Sequence, residues 1–307
     1  MRPRFCRACL HARSFSALSF VVTSSALPRE DRKRGYRPSE DAFFISAQPH
    51  LTVGISDGVG GMAARGLDPG DFARRLMAEA AFGAGVFPPA PLSALLAAAF
   101  SRVVTAGVEG AATALLCRVA PCGAVAALGL GDCTAMVLRV DGSMESSARQ
   151  SVAFDTPFQL GHVVGRGAPR FDSPAAAAPW AAQLCAGDAL VLCTDGLTDN
   201  LFMEDIAALA RVREGAGALG LRLVRAAAAA AKDRMRDGPF ALAAKDADVA
   251  WSAGGRADDI TVVVVEALFA AGPAPLAAPP PGAAAQCPDP AASALVPACA
   301  RAVSINK

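Results

Sequence analysis

The sequence lacks a charge excess: 29 Lys and Arg against 28 Asp and Glu leave a formal net of +1 over 307 residues. A general grip on nucleic acid or an anionic membrane surface needs a clustered excess of base, so near-balance argues against both. It also lacks a long hydrophobic run. Hydrophobic residues are 53% of the chain and mean hydropathy is +0.36, but 71 of those residues are alanine. No stretch reaches the roughly 18 consecutive apolar residues of a spanning helix, which removes that reading. Nine cysteines scattered through a long chain, several inside apolar runs, lack the density of a disulfide framework and read as reduced core thiols. Cys6-Arg7-Ala8-Cys9 has no second pair downstream, so it does not make a zinc site. No internal repeat is present.

The two ends differ from the middle. Arg2, Arg4, Arg7, Arg13 and Arg29 stand among Ser and Ala, with no acid before Glu30. That is the composition of an organelle transit peptide, and Ala17–Val22 is too short for a secretory core. We therefore expect a leader over residues 1–35, with mitochondrial or, alternatively, chloroplast import. From Ala271 to Lys307 there are 13 Ala and 8 Pro in 37 residues and no aromatic residue. Such a segment buries too little apolar area to offset its ordering entropy, and reads as a disordered tail. Residues 36–270 remain as one domain.

Within that domain Ala42–Ala47 and Leu51–Ser56 read as two strands joined by a short turn. Asp68-Pro69 opens a helix, Asp as N-cap and Pro at the first position, with Phe72, Leu76, Met77 and Ala80 on one face. A second helix is predicted from Pro91 to Val108. Strands follow at Thr113–Val119, Ala124–Leu128, Thr134–Val140 and Ala189–Thr194. Helices near Met203–Val212 and Ala216–Lys232 precede a last strand at Ile260–Ala267. Meandering strands with grouped helices indicate an α+β sandwich rather than a doubly wound sheet.

Acids mark the strand ends. Glu40-Asp41 precedes the first strand, Asp57-Gly58 ends the second, and Asp132 follows Gly129-Leu130-Gly131. Asp195-Gly196 follows the strand ALVLCT, with Asp199 beyond it, and Asp258-Asp259 precedes the last strand. Asp-Gly alone is commonly a turn, as at Asp141-Gly142. Carboxylates converging without basic neighbours in sequence, however, repel unless a cation holds them, and all-oxygen ligands suit Mg²⁺ or Mn²⁺.

In order, Ser39-Glu40-Asp41-Ala42, Ser56-Asp57-Gly58-Val59-Gly60-Gly61, Thr194-Asp195-Gly196-Leu197-Thr198-Asp199-Asn200 and Ala257-Asp258-Asp259-Ile260-Thr261 resemble the motifs of the metal-dependent type 2C Ser/Thr protein phosphatases (the PPM family). Ala112-Thr113-Ala114 and Leu130-Gly131-Asp132 add weaker blocks, and the likeness spans about residues 36–268. DGVGG, Asp68-Pro69 and Thr156-Pro157-Phe158-Gln159-Leu160 look most like the organelle branch. The resemblance implies an αββα sandwich of two antiparallel sheets flanked by helices. It implies hydrolysis of phosphoserine and phosphothreonine on phosphoprotein substrates by a hydroxide bridging two Mg²⁺ or Mn²⁺ ions. Asp57 would bridge the metals, Gly58 would offer its carbonyl, and Asp195 and Asp258 would complete the opposite shell. Glu40 and Asp41 would hold metal-bound waters, and Asp132 with Asp199 would serve a weaker third ion.

The chain departs from the pattern at two places. Where many members carry a general-acid His after the first Asp-Gly, this chain has Val59, and none of His11, His50 and His162 lies in a motif. The phosphate-binding Arg four residues before the Glu is replaced by Tyr36, leaving Arg37 as the nearby candidate. These departures motivate an alternative, a catalytically silent domain that binds a phosphoprotein partner. Two other chemistries fail on context. Cys133 to Arg139 has the C-x5-R spacing, but its Gly-free interior reads as a strand rather than a phosphate loop. Gly129-Leu130-Gly131 leads into another strand and lacks the third Gly of a dinucleotide turn.

Overall fold

A computed structural model describes residues 18–29, 39–48, 50–86, 89–165, 167–251 and 254–270, all within one compact unit, Met1–Ala270. One antiparallel sheet has the order β1 (Leu18–Leu27), β14 (Ile260–Phe269), β13 (Ala189–Cys193), β7 (Thr134–Leu138), β8 (Met144–Ser146). The other runs β12 (Ala178–Gln183), β6 (Ala124–Leu130), β5 (Ala114–Val119), β3 (Leu51–Ser56), β2 (Ala42–Ser46). Two small ribbons complete the strands: β9 (Ser151–Ala153) with β10 (Thr156–Pro157), and β4 (Gly110–Ala112) with β11 (Leu160–His162). The helices are α1 (Pro69–Ala84), α2 (Leu92–Thr105), α3 (Asp195–Thr198), α4 (Met203–Ala210), α5 (Ala216–Lys232) and α6 (Pro239–Asp246).

Two-residue periodicity explains why the central strands are apolar throughout. On β14, Val263 and Val265 enter the core between the sheets, while Val262 and Val264 face the helix-covered core. On β13, Leu190 and Leu192 point inward and Val191 and Cys193 outward. On β5, Leu115 and Cys117 meet the other sheet, whereas Leu116 joins Phe72, Leu76 and Met77 of α1 and Leu96 of α2. A strand covered on both faces cannot show polar alternation. Three apolar cores thus separate four layers, the αββα sandwich expected.

Local chemistry sets the helix boundaries. Asp68 caps α1 by accepting from the Gly70 amide at 2.9 Å, with Pro69 at the first position. In α5, Leu219, Leu223, Val224, Ala227 and Ala231 recur on one buried face, giving the alanine-rich run a packing stripe.

Besides the short strands β4 and β8 to β11 and the single-turn α3, three elements escaped the sequence reading. β12 is hidden in an alanine-rich stretch without a β-branched residue, and α6 is short. The third alters the domain boundary. Leu18–Leu27, placed within the expected leader, pairs residue for residue with β14 from Leu18↔Phe269 to Leu27↔Ile260. Phe20 and Val22 pack on the inter-sheet core. The folded domain therefore begins by Leu18 rather than near residue 36; its Ser/Thr-rich alternation was masked by the surrounding arginines. Residues 1–17 and the Ala271–Lys307 tail lie outside the described residues.

Nine cysteines read uniformly as reduced thiols also need one amendment. Cys117, Cys133 and Cys193 are buried free thiols, Cys122 is exposed and free, and Cys185 is disulfide-bonded.

Deleting residues through Leu27 would uncover the edge of β14 and the underside of α5. Because a domain's whole stability is only about 5–15 kcal/mol, loss of this strand is expected to lower the urea midpoint sharply or abolish cooperative unfolding. An unchanged midpoint would show that β1 is dispensable.

Candidate metal centre

Antiparallel registers carry the acidic strand ends to one edge. Ala42↔Ser56 sets Asp41 beside Asp57. Cys193↔Val262 and Cys193↔Thr134 bring the starts of α3, β14 and β7 together. Glu40, Asp57, Gly58, Asp132, Asp195 and Asp258 accordingly line one cavity of about 270 Å³ with Val59, Arg29 and Arg256. Asp41 lies just beneath, buried, and Asp199 borders an adjoining cavity with Asp132 and Arg149. Of the sequence candidates only Arg37 is not placed, since it lies outside the described residues.

The glycines of two Asp-Gly pairs are demanded by crowding rather than by turns. A Cβ on Gly58 would collide with the carbonyl oxygens of Pro69 and Glu40, and one on Gly196 with that of Asp259. Gly142, by contrast, sits at φ +82° in the β7–β8 turn, as its Asp-Gly dipeptide suggests.

Polar ties fix the acids in place. The Thr194 hydroxyl donates to Asp41 Oδ2 at 2.9 Å and accepts from the Thr261 amide at 3.0 Å, so one buried threonine joins the two sheets. Asp259 accepts from the Glu40 amide at 2.6 Å, the Ser39 hydroxyl at 3.1 Å and the Arg29 amide at 2.5 Å. Thr113 Oγ1 accepts from the Asp57 amide at 3.0 Å, and the Thr113 amide donates to the Asp57 carbonyl at 2.9 Å.

Crowding in a dry setting makes these carboxyls reluctant to ionise. Burial pushes Asp57 well above the ordinary range, with the charges of Asp195, Asp41 and Asp258 adding to it. Asp195 is raised likewise, by burial and then by Asp199, Asp258 and Asp132. Asp41 is raised to about 7, mainly by burial, against the opposing hydrogen bonds of Thr261 and Thr194. Burial also raises Asp258 and Asp132, with Arg256 and Arg149 respectively pulling the other way.

Guanidinium groups stand between the acids. Arg256 Nη1 lies 2.7 Å from Asp199, 3.3 Å from Asp195 and 2.9 Å from Asp155, and its Nη2 is 3.4 Å from Asp258. Arg149 Nη2 is 3.1 Å from Asp199 and 3.6 Å from Asp132. Arg29 reaches Glu40 at 3.9 Å and Asp258 at 3.8 Å. With these side chains interleaved, among the described residues no three Asp, Glu, His or Cys groups are gathered, as they stand, into a set that would hold one ion. Even so, the donor chemistry fits hard divalent cations. The acids offer only oxygen, and Asp41 Oδ1 and Asp195 Oδ1 are buried without a hydrogen-bond partner.

Arg256, Arg149 and Asp155 were not singled out from sequence, while Arg29 was read only as part of the basic leader and Asp259 only as the neighbour of Asp258. Arg256, two residues before the Asp-Asp pair, corrects the expectation that these acids have no basic neighbour in sequence; Arg149 and Asp155, in the β8–β10 region, carried no signal. Cys133 behaves as core: burial, with the charges of Asp57 and Asp132, keeps its thiol well above the ordinary pKa and protonated. Gly129-Leu130-Gly131 leads from β6 into β7, a strand and not a helix.

Comparison with known proteins adds to this geometry. No model of a protein family matches the chain. Among curated relatives, the "Protein phosphatase PTC7 homolog fig" of Drosophila ananassae is 33% identical over 261 residues, covering 77% of this chain and 75% of its own length. The "Probable protein phosphatase 2C 55" of Arabidopsis thaliana is 31% identical over 251 residues, 80% of this chain. This chain spans about half of that relative, 51%. Among solved structures, that of "the photosystem II phosphatase PBCP" superposes with a TM-score of 0.71 at 25% identity, covering 81% of this chain and 98% of that one. The catalytic domain of the serine threonine protein phosphatase PstP, solved with 2 manganese ions, shares the fold at a TM-score of 0.56 and 19% identity, covering 82% and 99%. Fold and acidic edge define a sandwich of the PPM type. The chain belongs to the protein phosphatase 2C family.

The raised carboxyls give metal-free protein a pH signature. An unfolded Asp titrates near 3.8, whereas Asp41 in the fold titrates at about 7. Between those values the native state holds protons that the unfolded state has released, so stability falls as pH rises. In chelator-treated protein the urea midpoint is expected to drop from pH 4.5 to pH 7.5. A rise over that interval would contradict the raised pKa values.

Proposed function

We propose that the chain is a metal-dependent phosphatase of phosphoserine and phosphothreonine in proteins. The observation that carries this reading is the convergence of Asp57, Asp195 and Asp258 on one cavity, with orphaned Asp41 and Asp195 oxygens beneath it. Asp57, Asp195, Asp258 and the Gly58 carbonyl would hold two Mg²⁺ or Mn²⁺ ions, and Asp132 with Asp199 a third. When bound, such a pair supplies a nucleophile from water near neutral pH and neutralises phosphoryl charge. The remaining work falls to the chain's own groups. Thr194 and Thr113 fix Asp41 and Asp57, and Asp259 holds Glu40 at the rim through its amide. Arg29, on the cavity wall, takes the phosphate-orienting role expected of Arg37. Val59 stands where a general acid would be and carries no proton, so the leaving alkoxide takes its proton from solvent within the site.

The Arg-rich, acid-poor residues before β1 and the DGVGG motif support placing the substrates among organellar phosphoproteins, with mitochondrial import as the reading and chloroplast import as the alternative. Any leader would be confined to the residues before β1. A reporter fused behind residues 1–17 is expected to reach the organelle; a cytosolic signal would end that part of the reading.

Hydrolysis of a phosphothreonine peptide is expected with Mn²⁺ or Mg²⁺ and none with chelator. Asp57→Asn, Asp195→Asn and Asp258→Asn should each lower kcat/KM by about 10²-fold or more, the scale of several kcal/mol of lost charge stabilisation. Full activity in any one would remove that residue from the metal shell. No turnover from folded, metal-loaded protein would favour the silent binding module. Val59→His is expected to speed turnover of substrates with poor leaving groups, since general acid catalysis is worth about 10²–10⁴-fold. An unchanged rate would mean that alkoxide protonation is not limiting.

A further inference from the structure

Among the described residues, one guanidinium group touches more of the proposed metal ligands than any other side chain placed against them. Arg256 contacts Asp195 and Asp258, which belong to the main metal shell, and Asp199, assigned to the third ion. Its placement is built. The buried Asn200 side chain grips its backbone on both sides, donating to the Arg256 carbonyl at 2.8 Å and accepting from the Arg256 amide at 2.9 Å. Asn200 Nδ2 also donates to the Gly196 carbonyl at 2.9 Å, locking residue 256 to the Asp195-Gly196 corner. The guanidinium lies 4.5 Å over the Phe240 ring, which packs in turn on Phe154 and Trp251.

Its fourth partner is of a different kind. Asp155 lies in the turn of the β9–β10 hairpin at φ +53° and has no place among the proposed ligands. Leaving Asp195, Asp199 and Asp258 would therefore not strand Arg256, because Asp155 and Phe240 remain as partners.

We propose that Arg256 is a tethered counter-cation that holds the catalytic carboxylates together before metal binds and must be displaced as metal loads. The inference rests on the divalent-cation reading of the site. A single charge spread over three carboxylates neutralises them incompletely, which leaves the higher charge of a divalent ion able to win the exchange. The contest is intramolecular, so it sets a threshold of metal concentration below which the site stays closed by its own arginine.

The test is calorimetric titration of Mn²⁺ into chelator-stripped full-length protein, comparing the natural chain with Arg256→Gln and Arg256→Lys. Removing the competitor is expected to tighten Mn²⁺ binding by about tenfold, the scale of a charge-assisted contact that no longer has to be broken. Arg256→Lys, which keeps the charge and loses the fork, should fall between. In parallel, the metal-free Arg256→Gln protein should melt at lower temperature than the natural chain, and Mn²⁺ should restore most of the difference. A merely structural arginine would give equal or weaker Mn²⁺ binding in Arg256→Gln, and that result overturns the proposal while leaving the metal site standing. Absence of Mn²⁺ binding in the natural chain as well would overturn both. If Arg256→Gln fails to fold without metal, Arg256→Lys decides the matter, since unchanged affinity in that variant would equally exclude competition.

Discussion

Repulsion among carboxylates brought to one edge of a sandwich is the constraint around which this molecule is arranged. Antiparallel pairing delivers Asp41, Asp57, Asp132, Asp195 and Asp258 to the same edge, where Asp41 and Asp195 are buried and the other three half-buried, so that little solvent is left to screen them. Left alone, such a set favours protonation or separation. The fold resists separation with ties that cross between the layers, Thr194 to Asp41 and Asp259 to the Glu40 amide, and with one inside a single layer, Thr113 to the Asp57 backbone. It resists protonation with arginines, and by the reading given above with divalent ions.

The same constraint explains features that otherwise look unrelated. Strands that are apolar on both faces make the sandwich rigid enough to hold like charges close, since each layer is packed against another. The glycines after Asp57 and Asp195 let neighbouring backbone come within the space of a methyl group, which a side chain would forbid. The α1 N-terminus is drawn into the same region. Arg74 of α1 donates to the Ser39 carbonyl at 2.9 Å while pairing with Asp68 and Asp71, so the helix that covers β2 and β3 also braces the segment carrying Glu40.

Much of this was legible in the sequence because two signals coincided. Apolar runs such as ALVLC and TVVVV announced buried strands, and an acid stood at the end of each. What was illegible was long-range. Leu18–Leu27 looked like part of a basic leader, because nothing local says that a Ser/Thr-rich alternation will find Val262–Val265 as its partner. Arg256 and Arg149 were passed over for the same reason: the countercharges of the site come from a loop before β14 and from the segment after β8, and only the closed sandwich brings them to Asp199. The Asp-Gly pairs were half legible. Their acids were read correctly as candidates, but glycine's role there is close backbone approach, a property of the folded neighbours rather than of the dipeptide.

The central claim is that the acidic edge is a divalent-cation centre. The most direct measurement is an anomalous-scattering map from crystals of this protein grown with Mn²⁺. The account requires peaks bounded by Asp57, Asp195 and Asp258, with the Arg256 guanidinium moved from those acids toward Asp155. A map without a peak at that edge, and with Arg256 still bonded to Asp195 and Asp199 at saturating Mn²⁺, would contradict it.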